Sequence, residues 1–318
     1  MKSVLHIRLD SPGYNCNAME TAFRSCGYEY YGLKWQEFRF EFGIEKLRSE
    51  VVKTAALLKP TIIFCHLQNP EAFSVETFQE LSKHSFVINY TFDVRHKDEM
   101  KWMYDVAPHI GYTFFGCMED VWNCMALGIN NTGHLHSSVD MNLYKPKEGQ
   151  KAYAFDVVFC GNRYDNSNLK FPLAAERQQM ISVLSERYKG RFMSYGLGQQ
   201  GGLIKPEVEA NVYNFSRIAI NQNNFQLNDY TSDRLFRIMA SGTMCITKYF
   251  PGIEKVFKNA VHLVWWHNFQ ELTDYIDHYL SDEKERLAVA AMGTQLVREN
   301  HGWEDRIAQM EKIIGELK

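Results

Sequence analysis

Tyr230-Thr231-Ser232-Asp233-Arg234-Leu235-Phe236-Arg237-Ile238-Met239-Ala240-Ser241-Gly242 lies between two short apolar runs, Ile218–Asn221 and Thr243–Thr247. Ser232 and Asp233 are favoured N-cap residues and Gly242 is a favoured helix stop, so the stretch reads as strand, capped helix, strand. A well-capped helix accounts for Ser232, Asp233 and Gly242 without any ligand. It does not account for Arg234 beside a helix start that already favours anions. A cation next to free helix N-terminal amides is what a diphosphate requires.

The same alternation runs outward in both directions, the pattern of parallel sheets covered by helices. Upstream, strands are expected at Val4–Leu9, Tyr28–Leu33, Thr61–Leu67, Phe86–Phe92 and Gly111–Phe115. Helices are expected around Met19–Cys26, Ile44–Leu58, Val75–His84, Met100–Val106 and Met118–Leu127. The polar stretch His134–Lys151, with Pro146 inside it, reads as a hinge. The alternation then restarts at Asp156–Cys160 and continues to a last helix, Asp305–Leu317. The expected architecture is α/β with two Rossmann-like lobes, 1–145 and 146–318, and a cleft with ligands at the carboxyl ends of the strands. Ile307, Met310, Ile313, Ile314 and Leu317 recur at helical spacing, so the last helix needs a partner surface, and the first lobe is expected to supply it.

Composition narrows the function classes. The 318 residues suit about two domains, and 45% hydrophobic with 23% charged residues excludes a disordered chain. A formal charge of −3 gives no overall basic field for a polyanion. No run of 18 apolar residues and no signal peptide is present, so no membrane insertion is expected. The seven cysteines form no C-x-x-C, which fits a reducing cytoplasm.

The motif search is informative mostly by elimination. Gly196-Leu-Gly198-Gln-Gln-Gly201 is a literal G-x-G-x-x-G. A dinucleotide fingerprint needs a helix to start inside it, whereas Gly202, Lys205 and Pro206 read as loop, so a loop beside the ligand is the better reading. There is no G-x-x-x-x-G-K-[ST], no H-E-x-x-H and no G-x-S-x-G, and no metal ligand is expected. In the first lobe, Gly13 in Asp10-Ser-Pro-Gly13 permits close backbone approach to a ligand, or simply makes a turn. His66 and Asp93 end strands, where an acceptor-side base belongs, although a histidine there is more often a structural hydrogen-bonding residue.

Tyr230–Gly242, followed by Pro251-Gly252-Ile-Glu254-Lys-Val-Phe257, resembles the donor-binding core of group 1 glycosyltransferases, and most nearly the CgeB-like, spore-maturation-protein-like branch. Phe159-Cys-Gly161-Asn162-Arg163 is similar to the F-x-G-N that opens the second lobe in that family, and His301-Gly-Trp-Glu-Asp-Arg306 to its H-[TS]-[YW]-x-x-R. The resemblance covers about residues 156–310. It implies a GT-B fold and a nucleotide-sugar donor, a UDP-sugar first, used as substrate with no cofactor. It also implies donor binding by Gly13, Gly161, Asn162, Arg163, Tyr230, Ser232, Asp233, Arg234 and Arg237. One departure stands out: the family usually has Glu where this chain has Arg237, and a guanidinium cannot accept a ribose hydroxyl's hydrogen bond. Asp229 or Glu254 are the substitutes on offer; alternatively Arg237 faces a phosphate or solvent.

Arg163, Arg234 and the amides after Gly161 and Ser232 would stabilise the leaving diphosphate without metal. An inverting reaction would need a base, Asp93 or His66; a retaining one would not. Two rivals differ in acceptor or class: a DNA glycosyltransferase of the phage kind acting on a modified base, and a catalytically silent nucleotide-sugar-binding protein, which Arg237 makes plausible. A dehydrogenase comes third.

Overall fold

The computed structural model describes residues 2–10, 16–67, 72–95, 97–149, 152–164 and 171–317. They form two compact units, Met1–His136 together with Trp303–Lys318, and Ser137–Gly302.

The first unit runs β1 (Lys2–Arg8), α1 (Asn17–Ser25), β2 (Tyr28–Lys34), α2 (Trp35–Phe42), α3 (Ile44–Leu58), β3 (Ile62–Cys65), α4 (Val75–Ser82), β4 (Phe86–Thr91), α5 (Lys101–Val106), β5 (Tyr112–Phe115), α6 (Met118–Ala126) and β6 (Thr132–His134). All strands pair in parallel, in the order β2-β1-β3-β4-β5-β6. Val4, Leu5, His6 and Ile7 are consecutive and all buried, because helices cover both faces of the sheet.

The second unit runs β7 (Phe155–Cys160), α7 (Ala174–Arg187), β8 (Phe192–Tyr195), α8 (Pro206–Asn214), β9 (Ser216–Asn221), α9 (Asp233–Ala240), β10 (Met244–Lys248), β11 (Val264–Trp266), α10 (Phe269–Ser281) and α11 (Glu283–Asn300). Its parallel sheet has the order β11-β10-β9-β7-β8, which puts β9 at the centre between β10 and β7. The stretch just after His136 belongs to this unit. Val139 and Tyr144 are buried with Leu235 and Phe236, and Asp140 Oδ1 accepts from the amides of Asn142 and Leu143 in a tight turn.

The last helix, α12 (Trp303–Leu317), belongs to the first unit. Ile307, Met310 and Ile314 are buried with Phe23, Tyr28 and Tyr90, whereas Leu317 stays half exposed. Each such burial is worth about 1.5–3 kcal/mol, enough together to hold the tail down. Arg306, itself buried, donates from Nε to the carbonyl of His136 at 3.0 Å, fastening the helix where the chain leaves β6.

Two helices were unreadable in the sequence. In α2, Trp35-Gln-Glu-Phe38-Arg-Phe40-Glu-Phe42 alternates aromatic and charged residues with a strand's period, yet it folds as a helix with Phe40 in solvent. Pro206, read as loop chemistry, instead opens α8, where a missing amide hydrogen costs nothing.

Candidate functional site

The carboxyl ends of β7, β9 and β10 bring together the second unit's chemistry. β7 ends in Cys160 and runs into Gly161-Asn162-Arg163. The Gly161 amide donates to the Tyr195 carbonyl at 2.7 Å, and the Arg163 amide to the Leu197 carbonyl at 2.8 Å. Asn162 Oδ1 accepts from the Leu197 amide, and Gln199 Nε2 donates to the Gly161 carbonyl, both at 2.9 Å. The glycine-rich segment 196–201 is therefore laced to the turn after β7, and no helix starts inside it: α8 begins only at Pro206. It is built as a loop beside the strand ends and lacks the helix start of a dinucleotide fingerprint.

Beside this turn lie two guanidinium groups. Arg234, in the first turn of α9, donates to Asn221 Oδ1 (3.3 Å) and to the Gln222 carbonyl (3.0 Å). Arg177, on α7 and almost wholly buried, donates to the same Gln222 carbonyl (2.6 Å) and to the Asn162 carbonyl (3.2 Å). Both stand over the ring of Phe159, at 5.3 and 5.5 Å from its centroid. Among the described residues neither is paired with a carboxylate. Burial, and then the Arg234 charge, push the Arg177 pKa below the usual arginine range, to about 9; it remains charged at neutral pH. Two cations on neutral acceptors alone leave a local excess of positive charge, which a bound anion would relieve.

The start of α9 adds to that excess. Ser232 holds the N-cap position, but its hydroxyl does not cap the helix; it turns to Asn221 Oδ1 at 3.4 Å. Asn223 staples the preceding loop, with Oδ1 accepting from the Ser232 amide (3.1 Å) and Nδ2 donating to the Tyr230 carbonyl (3.0 Å). The helix N-terminus thus keeps first-turn amides that no side chain among the described residues has taken. Gly161 completes the arrangement. A Cβ there would lie 2.8 Å from the Phe159 ring and 3.1 Å from Arg234 Nη2, so only glycine leaves the guanidinium its place.

Arg237, one turn further along α9, has the opposite surroundings. It pairs with Asp233 Oδ2 at 2.5 Å and Glu209 Oε2 at 3.0 Å, over the ring of Tyr144. Tyr144 and Tyr213 donate to the two oxygens of Glu209 at 2.6 and 2.8 Å. Burial opposes the charge, but Asp233 and Glu209 outweigh it and hold the pKa well above the ordinary arginine value. Arg237 is therefore a part-buried, doubly paired residue, and Asp233 is its partner. Of the acceptors expected to replace the missing Glu, Asp229 is buried and takes Lys255 Nζ at 2.7 Å, while Glu254 is exposed.

The structure thus gathers Gly161, Asn162, Ser232 and Arg234 at one place, with Tyr230 on the loop above. Arg163 is exposed on the turn after β7. Gly13 lies outside the described residues. Sequence reading missed Arg177, Asn221 and Gln222, and also Lys248, which pairs with Glu176 at 2.5 Å over Trp266. Arg177 carries no local signal, because a helix arginine that turns inward has the same spelling as one that faces water.

In the first unit Asp93 is exposed just past β4. His66, just past β3, is enclosed by Tyr90, Phe92 and His6. Burial pushes its pKa down to about 3, against the opposing charge of Asp10, so it is neutral near pH 7.

Residues 176–312 match the family model described as glycosyl transferase-like. No curated protein matches the sequence. Among solved structures, HepE of Anabaena in complex with UDP-glucose superposes with a TM-score of 0.67 at 11% identity, covering 99% of this chain and 100% of that one. Sucrose-phosphate synthase of Thermosynechococcus elongatus gives 0.67 at 12% identity, covering 100% and 99%. The α,α-trehalose 6-phosphate synthase of Burkholderia multivorans gives 0.62 at 10%, covering 99% and 97%. At these identities the likeness is one of fold. No helix among the described residues is long and apolar enough to cross a membrane. The chain has the two-unit GT-B fold, and its residues 176–312 are similar to the glycosyl transferase-like family.

Proposed function

We propose that this protein is a glycosyltransferase that takes a sugar from a nucleotide donor, a UDP-sugar first, and passes it to a hydroxyl acceptor. The observation that carries the reading is the pair Arg234 and Arg177: two cations with no carboxylate partner among the described residues, beside a helix start whose N-cap side chain does not cap it, at the carboxyl ends of parallel strands. A diphosphate supplies the negative charge this place lacks, and the same groups would stabilise it as it leaves. HepE, solved with UDP-glucose, gives the choice of donor to test first.

Gly161, Asn162, Arg163, Tyr230 and Ser232 are assigned to the donor as the walls of this site, and Arg234 as its main contact. Arg237 and Asp233 act through each other, Arg237 fixing α9 rather than meeting the donor. For an inverting reaction Asp93, open to solvent, is the better base than His66, which is enclosed and neutral. No metal is assigned a role in the transfer, and the CgeB-like branch is the kinship we favour. The silent-binder reading draws on one observation, that Arg237 stands where an acceptor for the ribose is expected.

A thermal-shift screen across UDP-, GDP-, ADP- and CMP-sugars tests the donor, followed by assay of nucleotide release with and without acceptor alcohols. The proposal expects one donor class to raise the melting temperature and to be turned over. Binding without release under any condition supports the silent reading; no response to any nucleotide sugar removes both.

A further inference from the structure

His6 in β1, Cys16 at the N-terminal end of α1 and His66 just past β3 converge in the first unit. Their donor atoms lie within 4.8 Å of one another, and all three residues are fully buried. They join the first strand, the first helix and the neighbouring strand, at the carboxyl ends of β1 and β3.

One pair in the cluster already has the spacing of a tetrahedral centre. With metal–sulfur bonds of about 2.3 Å and metal–nitrogen bonds of about 2.0–2.1 Å, a tetrahedral angle places nitrogen and sulfur about 3.6 Å apart. Cys16 Sγ and His66 Nδ1 are 3.6 Å apart. That separation also suits a thiol–imidazole hydrogen bond, so it does not decide alone. His6 supplies the second observation. Its Nδ1 is 2.9 Å from the hydroxyl of Tyr30, while its Nε2 is buried with no hydrogen-bond partner among the described residues. A buried imidazole nitrogen left unpaired costs stability unless something binds it. A partner on the far nitrogen, as Tyr30 is here, is the arrangement that orients a metal-bound histidine.

The backbone of Cys16 is also fixed in advance. Its amide donates to Asp10 Oδ1 at 3.1 Å, and Asp10 is itself held by Arg8 at 2.6 Å. Two imidazoles and a thiolate are ligands for zinc-like ions and a poor set for magnesium or calcium, which take oxygen.

We propose that His6, Cys16 and His66 form a buried site for one zinc ion, which ties the start of α1 to β1 and to the end of β3. Binding replaces the thiol proton of Cys16 by a zinc–sulfur bond and releases that one proton; the imidazoles bind through neutral nitrogen lone pairs. The site is independent of the donor-binding reading and would make His66 a ligand rather than a base.

The test uses the full chain, stripped with a chelator and then titrated with cobalt(II) alone and with zinc(II) alone. The proposal expects one ion per chain, the intense visible bands of tetrahedral cobalt and a thiolate charge-transfer band, all displaced by zinc. Cys16→Ala and Cys16→Ser should lose the charge-transfer band, and His6→Ala should weaken uptake at least tenfold. Zinc should raise the melting temperature of the stripped wild type but not that of a Cys16 variant. Circular dichroism in chelator establishes that the variants fold. If they do not, the wild type decides by itself: a stoichiometric, tetrahedral, thiolate-bound cobalt spectrum together with a zinc-dependent melting temperature upholds the site, and lack of either overturns it. Cobalt uptake unchanged in folded Cys16 and His6 variants overturns it as well.

Discussion

Arg234 and Arg237 are three positions apart on one helix, and their partners assign them different work. Arg234 rests on the amide oxygen of Asn221 and the carbonyl of Gln222, with no carboxylate among the described residues. Arg234→Ala should therefore leave the melting temperature nearly unchanged and weaken donor binding by about 1.5–3 kcal/mol, roughly ten- to a hundredfold. Arg234→Lys should recover only part, since an ammonium lacks the planar fork. Arg237→Ala should do the reverse. It strands Glu209 and Asp233, both largely buried, and should cost about 3 kcal/mol of stability, read as a lower melting temperature in the absence of donor. A variant that stays as stable as wild type would show the network to be dispensable. The sequence could announce Arg234, because a cation at a helix start is a local pattern. It could not announce the pairing of Arg237, because Glu209 and Tyr144 are distant in the chain and arrive only with the fold.

At the scale of elements, the turn after β7 and the start of α9 must approach closely, and Gly161 permits it. Gly161→Ala puts a carbon 2.8 Å from the Phe159 ring and 3.1 Å from Arg234 Nη2. Overpacking of this kind costs about 1–3 kcal/mol, and here the guanidinium must also move. Weaker donor binding, measured by calorimetry, is the expected result, and unchanged affinity would detach Gly161 from the site. In α6 a different balance operates. Asp120 is buried and accepts from the Tyr104 hydroxyl (2.6 Å) and the Cys117 thiol (3.3 Å); burial raises its pKa above the ordinary aspartate value despite those two bonds. The folded state then binds the proton more tightly than the unfolded state, so this group's contribution to stability falls as pH rises through the folded pKa. Asp120→Asn removes that titration, and its melting temperature relative to wild type should climb from pH 4 to pH 7. A difference that is flat or falls with pH would contradict the assignment. Elements of this kind were mostly legible, since long buried strands and capped helices carry their periodicity locally. Helix α2 was not, because its aromatic–charged alternation has the period of a strand while the chain is helical.

For the molecule as a whole, both sheets are parallel and each is complete within its own unit, as two successive alternations of strand and helix lead one to expect. The apolar spacing of the last helix, which is grouped with the first unit, was legible in the sequence. The boundary at His136 was not, because Val139 and Tyr144 look like hinge residues until their burial in the second unit is seen. A ligand that binds only the folded state stabilises it by RT ln(1 + [L]/Kd), about 2.7 kcal/mol at a hundredfold excess over Kd. Titration calorimetry of UDP-glucose into the wild type and into Arg234→Ala, with the melting temperature of each protein recorded alongside, tests the central claim most directly. The account predicts saturable one-to-one binding to the wild type and ten- to a hundredfold weaker binding to a variant that melts at the same temperature. Equal affinity in the two proteins, or a variant that merely unfolds earlier, would contradict it.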